Sequence, residues 1–220
     1  MQHELVVLSD VEALSREGAH RVAEKVRAVA GEGRACNIAV SGGRTPWAMF
    51  RQLAQMDLPW SQLRIFQVDE RVAPNGDPNR NLTSLVEAFS DTAVEIVPMP
   101  VTDTDLESAA ADYAARLPDE FDLIHLGLGS DGHTASLVPG DPVLNVDDLL
   151  VALTQPYQGH RRMTLTFPAL ASARELVWLV AGGDKKDALA KLLRLDPSIP
   201  AGRVRATQSM VLADRLAAPN

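Results

Sequence analysis

The chain has 220 residues, 46% of them hydrophobic and 23% charged, with a formal net charge of −8 and a pI near 5.1. That length suits one α/β domain with a large core, the charge disfavours nucleic acid and anionic membranes, and no apolar run is long enough to span a bilayer. The single cysteine, Cys36, has no internal partner, and MQHELVVLSD lacks a signal peptide's basic region and cleavage site, so the expected compartment is the cytosol.

Two hydrophobic periods alternate along the chain. Leu5–Leu8 predicts a strand, and Asp10 is placed to cap a helix in which Val22, Val26 and Val29 recur at helical spacing until Gly31 and Gly33. Asn37–Val40 predicts a second strand running into the turn Ser41-Gly-Gly-Arg-Thr-Pro46 and a helix with Trp47, Phe50, Leu53 and Ala54 on one side. A third strand, Leu63–Val68, ends at Asp69-Glu-Arg71, which reads as the charged root of a loop dense in turn formers. A helix over 81–89 and a strand over 94–97 follow. An amphipathic helix then carries Leu106, Ala109, Ala110, Tyr113 and Leu117. The apolar run Phe121–Leu126 predicts a buried strand that opens into the glycine-rich loop Gly127–Gly140. Further strands are expected at 149–153, 163–167, 176–180 and 210–212, with a helix bearing Leu189, Leu192 and Leu193 before the last. The alternation implies a single-domain, doubly wound, largely parallel sheet over residues 1–220 with helices on both faces. The strict alternation of Met163-Thr-Leu-Thr-Phe167 fits a less buried strand, antiparallel or at an edge.

Ligands of open α/β sheets bind beyond the carboxyl ends of the strands, so chemistry is expected in the turns that follow them. In the 41–46 turn, Thr45 is placed to cap the next helix and Pro46 sits where a missing N–H costs nothing. The free amides there could bind phosphate, although a merely tight strand-to-helix connection reads equally well and the Walker pattern is absent. Asp69-Glu-Arg71 offers an acid for proton transfer and an arginine for an oxyanion, or else an ordinary surface ion pair.

The 127–140 loop contains G-x-G-x-x-G, but Pro139 stops any helix begun after Gly132, so it reads as a catalytic turn rather than a dinucleotide site. Its His133 has the one side chain there with an ordinary pKa near neutrality, and Asp131 could orient it. His125, inside a strand, reads as a hydrogen-bonded core residue. Ser136 lacks the nucleophile-elbow context and no metal-ligand spacing appears. Arg161, Arg162 and Lys185 lie beside strands. Singly these are solvated charges; with the Ser41 turn they would form a phosphate site.

The ordered set Ser-Gly-Gly-x-Thr-Pro at 41–46, Asp-Glu-Arg at 69–71, Gly-x-Gly-x-Asp-Gly-His-Thr-Ala-Ser at 127–136, Arg-Met-Thr at 162–164, Gly-x-x-Lys at 182–185 and Pro-Ala-x-x-Val-Arg at 200–205 resembles the 6-phosphogluconolactonases. The related glucosamine-6-phosphate deaminases share the fold and the Asp-Gly-His core. This sequence has Val138 where their motif carries a glutamate, and Arg71 where they have tyrosine. The resemblance implies hydrolysis of 6-phospho-D-glucono-1,5-lactone by a sugar-phosphate isomerase-type fold, with no metal or cofactor and a small phosphorylated lactone as sole partner, in a monomer or weak homo-oligomer. His133 would be the base, Asp131 or Asp69 its assistant and Arg71 the stabiliser of negative charge. Phosphate would sit on Ser41, Gly42, Gly43, Arg44 and Thr45 beneath Arg162 and Lys185, with Arg161, Arg203 and Arg205 as further contacts. A deaminase or a non-catalytic sugar-phosphate sensor on the same fold are the alternatives.

Overall fold

The computed structural model describes residues 2–219. Seven strands form one parallel sheet: β1 (Glu4–Leu8), β2 (Cys36–Val40), β3 (Leu63–Gln67), β5 (Glu95–Val97), β6 (Leu123–Gly127), β9 (Glu175–Val180) and β10 (Gln208–Asp214), in the spatial order β1-β10-β9-β6-β2-β3-β5. Central strands read as unbroken apolar runs because both faces are covered. On β2, Ile38 and Val40 join one core with residues of α1 (Val11–Gly31), α2 (Arg44–Leu53) and α3 (Asn81–Ala88), while Ala39 joins another on the opposite face. That second layer holds α4 (Leu106–Ala114), α6 (Lys186–Leu193) and a three-stranded sheet. The fold is therefore the doubly wound α/β arrangement that the alternating periods imply.

Asp10 caps α1 as expected, its carboxylate accepting from the Ala13 N–H at 2.8 Å, and the helix gives way at Gly31 with Gly33 in the left-handed region. The other cap differs from expectation. The second helix starts at Arg44 with Gly43 as its N-cap at φ 129°, so Thr45 lies inside the first turn and caps nothing. Pro46, also in that first turn, needs no N–H partner.

The small sheet is the main departure. Asp69–Arg71 is itself a strand, β4, rather than the root of a loop, and it pairs antiparallel with β8 (Arg162–Leu165), which pairs in turn with β7 (Val151–Leu153). β8 is antiparallel, as its alternation suggests, but it is the central strand and Met163, Thr164 and Leu165 are all buried. Thr164 tolerates burial because its hydroxyl accepts from the Ser136 N–H and donates to the Leu165 carbonyl. The strand also ends early: Phe167 opens α5 (Phe167–Ala171), with Pro168 in its first turn.

Candidate active site

β9, β6, β2 and β3 are neighbours, so the turns leaving their carboxyl ends meet at one rim of the sheet. Between them and the small sheet lies a cleft of about 190 Å³, lined by Ser41, Gly42, Asp69, Arg71, Asn81, the 127–129 segment, His133, Ala135, Arg162 and Lys185. Five segments singled out in the sequence thus converge. Gly43, Arg44 and Thr45 continue into α2 outside the lining set, with Arg44 exposed.

The 127–140 loop has no helix. It is cross-braced by Gly129 N–H to the His133 carbonyl at 2.8 Å and by the Thr134 hydroxyl to the Gly127 carbonyl at 2.9 Å. A Cβ on Gly129 would lie 2.0 Å from the His133 ring, so the imidazole sits where only a glycine leaves room. His133 Nδ1 is 2.6 Å from Asp131 Oδ1, which also accepts the His133 backbone N–H at 3.0 Å. Burial alone would raise the Asp131 pKa, but these hydrogen bonds and the imidazole's charge outweigh it and hold the carboxyl below its ordinary value. A neutral imidazole that donates Nδ1–H to this carboxylate carries its lone pair on Nε2.

Across the cleft, the antiparallel register sets Arg71 directly opposite Arg162. Arg71 donates to the Asn79 carbonyl at 2.9 Å and to Asn81 Oδ1 at 2.5 Å, leaving three of its five N–H groups unassigned. Arg162 is 5% exposed. Its Nη1 is 4.0 Å from Asp69 and 3.5 Å from the Ser136 hydroxyl, while its Nε has no hydrogen-bond partner among the described residues. Burial pulls the guanidinium's pKa below its ordinary value and Asp69's charge opposes this. Asp69 is held in turn by the Ser136 hydroxyl at 2.6 Å and by the Asn81 amide at 3.5 Å. Lys185 pairs with Asp184 at 3.0 Å on a turn whose Gly182 N–H is held by Asp214 at 3.1 Å. Ser41, 5% exposed, has a hydroxyl without a hydrogen-bond partner among the described residues.

His125 is the core residue expected. It is fully buried, burial pushes its pKa down to about 3, and its Nδ1 accepts the Ser41 N–H at 3.3 Å. Arg161, Arg203 and Arg205 are not brought to the cleft. Arg161 pairs with Glu107 at 3.0 Å, Arg203 stacks 4.3 Å from the Phe167 ring centroid, and Arg205 donates to the Gly202 and Val204 carbonyls. Asn81 is the residue that sequence reasoning missed: it bridges Asp69 and Arg71 and abuts Gly42, where a Cβ would meet its Oδ1 at 2.0 Å. An asparagine opening a helix reads as an ordinary cap, so nothing local marked it.

A parallel sheet whose strand ends open into a cleft lined by a His–Asp pair and by Arg71 and Arg162 defines an α/β protein with a charged cleft at its strand ends. A family model described as glucosamine-6-phosphate isomerases/6-phosphogluconolactonase matches residues 9–213, and the chain belongs to that family. It is 38% identical over 180 residues to a 6-phosphogluconolactonase of Synechocystis sp., covering 76% of this chain and 74% of that one. A 6-phosphogluconolactonase structure from Thermotoga maritima superposes with TM-score 0.89 at 27% identity, over 97% of this chain and all of that one. A monomeric glucosamine-6-phosphate deaminase superposes nearly as well, TM-score 0.86 over 97% of this chain and 98% of that one, at 19% identity. The fold alone does not separate the two activities.

Proposed function

We propose that the protein hydrolyses 6-phospho-D-glucono-1,5-lactone to 6-phosphogluconate, the second step of the oxidative pentose phosphate pathway. The observation that carries this reading is the cross-strand pair Arg71 and Arg162, facing each other beside the unpartnered Ser41 hydroxyl and opposite the His133–Asp131 pair. Two like charges set opposite each other repel, and the 4.0 Å approach of Asp69 to Arg162 compensates only that arginine, so a further anion beside Arg71 would be stabilising. An electronegative substrate with a phosphate at one end and a developing oxyanion at the other supplies such an anion.

In this reading His133 Nε2 takes a proton from water as the water oxygen bonds to C1. The tetrahedral oxyanion is held by the free N–H groups of Arg71. When the C1–ring oxygen bond breaks, the proton passes from His133 to the departing oxygen. Asp131 keeps the imidazole in the required tautomer and Asp69 holds Arg162 and, through Asn81, Arg71. The Ser41 hydroxyl, the amides of Gly42, Gly43, Arg44 and Thr45, Arg162 Nε and Lys185 receive the phosphate. A deaminase would need an acid near position 138, where this chain has Val138. Acid release from fresh 6-phosphogluconolactone, measured beside ammonia release from glucosamine 6-phosphate, tests the assignment; ammonia without acid would reverse it.

Two binding results follow. Arg162→Ala and Lys185→Ala are each expected to weaken 6-phosphogluconate by about 1.5–3 kcal/mol, the worth of a charge-assisted hydrogen bond, with gluconate unaffected. Competitive inhibition by the two acids is the measurement, and equal changes for both would mean that neither cation reads phosphate. In a thermal-shift titration, 6-phosphogluconate is expected to stabilise the fold by about 2.7 kcal/mol at a hundredfold excess over Kd, and NAD and NADP not at all. Asp131 and the absence of a helix directly after Gly132 leave a dinucleotide pyrophosphate no helix N-terminus to rest on. Saturable stabilisation by a dinucleotide alone would restore the dinucleotide reading of the loop.

A further inference from the structure

Tyr157 has no part in the mechanism above, yet it touches both walls of the cleft. β7 and β8 are joined by a hairpin with Gln158 and Gly159 at its tip, at φ 51° and 85°. Tyr157 and His160 exchange backbone hydrogen bonds of 2.9 and 3.3 Å across it. Two successive positive φ values mark a type I′ turn, whose twist suits paired strands, and a glutamine in the first of those positions is strained.

That ring stands edge-on to His133, with centroids 5.7 Å apart and planes at 64°. The Arg162 guanidinium carbon lies over the same ring, 5.1 Å from its centroid. The phenol oxygen accepts from the Gln158 amide at 3.3 Å. Burial and the Asp131 charge raise the phenol's pKa, against the Arg162 charge. A single Nδ1 hydrogen bond to Asp131 would let the imidazole pivot about that bond, and the buried Arg162 has only three contacts of 3.5 Å and a 4.0 Å approach to Asp69 to hold it. The tyrosine removes both freedoms with one side chain.

We infer that Tyr157 is a positioning residue, a wedge that fixes the His133 ring plane and the Arg162 guanidinium relative to each other. Only the kinetic half of its test rests on the lactonase reading. The variants are Tyr157→Leu, which keeps bulk without an aromatic face, and Tyr157→Phe, which keeps the ring without the hydroxyl. The readouts are the imidazole nitrogen resonances of His133 and the kcat and KM for 6-phosphogluconolactone.

In Tyr157→Leu the His133 resonances are expected to shift and broaden, kcat to fall about 3- to 10-fold through His133, and KM to rise by a similar factor through Arg162, the scale of lost edge-to-face and cation–π contacts. Tyr157→Phe is expected to keep the spectrum and KM and to lose no more than about threefold in kcat, the share of one hydroxyl. Unchanged resonances with kcat and KM within about twofold in Tyr157→Leu would overturn the inference, whatever its melting temperature, because a merely structural residue moves stability alone. Equal damage in both variants would also overturn it, by placing the effect in the hydroxyl rather than the ring. A wild-type protein without lactonase activity would remove the proposed substrate, and the His133 spectrum would still decide the wedge.

Discussion

His133→Gln is expected to fold normally, to bind 6-phosphogluconate and to lose roughly 10²–10⁴ of the turnover on 6-phosphogluconolactone, the usual worth of a positioned general base. The side chain is 27% exposed and lies over Gly129, so its replacement opens no core cavity and removes no structural contact beyond the Asp131 hydrogen bond and the Tyr157 ring edge. Glutamine can still donate to Asp131, which keeps the loop's acceptor satisfied, but it offers no basic nitrogen toward water. The loss should therefore fall on kcat with KM little changed, as for an interaction made only while the proton moves. Turnover near the wild-type value would take His133 out of the mechanism. A loss of stability matching the loss of activity would make it a structural histidine instead.

How much of this was legible beforehand depended on whether the information was local. His133 and Asp131 are two residues apart in a loop that the glycines already mark as close-fitting, so the pair and its orientation could be read directly. The parallel sheet was legible because both-face burial writes an unbroken apolar run into each central strand, as in Leu176–Val180. Asp69-Glu-Arg71 was misread because three charges in a row look like solvent. In fact β8 pairs them into a strand, and the period of two then sends Asp69 and Arg71 into the cleft and Glu70 the other way.

The Asp69–Ser136–Arg162 contacts join positions 67 and 26 residues apart, and no local pattern announces them. The Thr45 cap failed for the opposite reason. A favourable local rule was overridden by Gly43, which turns the chain into α2 at a φ that only glycine adopts easily and starts the helix before Thr45 could cap it.

Glu70 carries the largest expected effect on stability. It is fully buried, yet it looked from the sequence like part of a surface ion pair. One carboxylate oxygen accepts the Arg71 N–H at 2.8 Å and the Asn81 N–H at 2.7 Å; the other accepts the Leu82 N–H at 2.8 Å and the Gln67 amide at 2.9 Å. It thereby caps α3, which has no capping side chain of its own, and places a negative charge at that helix's positive end. Arg80, 3% exposed, lies 3.6 Å from the same carboxylate. Glu70→Ala would leave three backbone N–H groups and one amide without their acceptor and the buried Arg80 guanidinium without its counter-charge. The expected loss is about 3–5 kcal/mol, the cost of removing one partner from a buried charged network. For a chain of this length that lowers Tm by on the order of 10 °C. Glu70→Gln preserves volume but turns one acceptor into a donor aimed at other donors, so it should recover only part of the loss. Urea titration with an unchanged m-value is the check, and a loss under about 1 kcal/mol in Glu70→Ala would mean that water replaces the carboxylate. Because Arg71 and Asn81 both hang from Glu70 by their backbones, the lactonase rate of either variant should fall at temperatures where it is still folded, through the cleft rather than through the unfolded fraction.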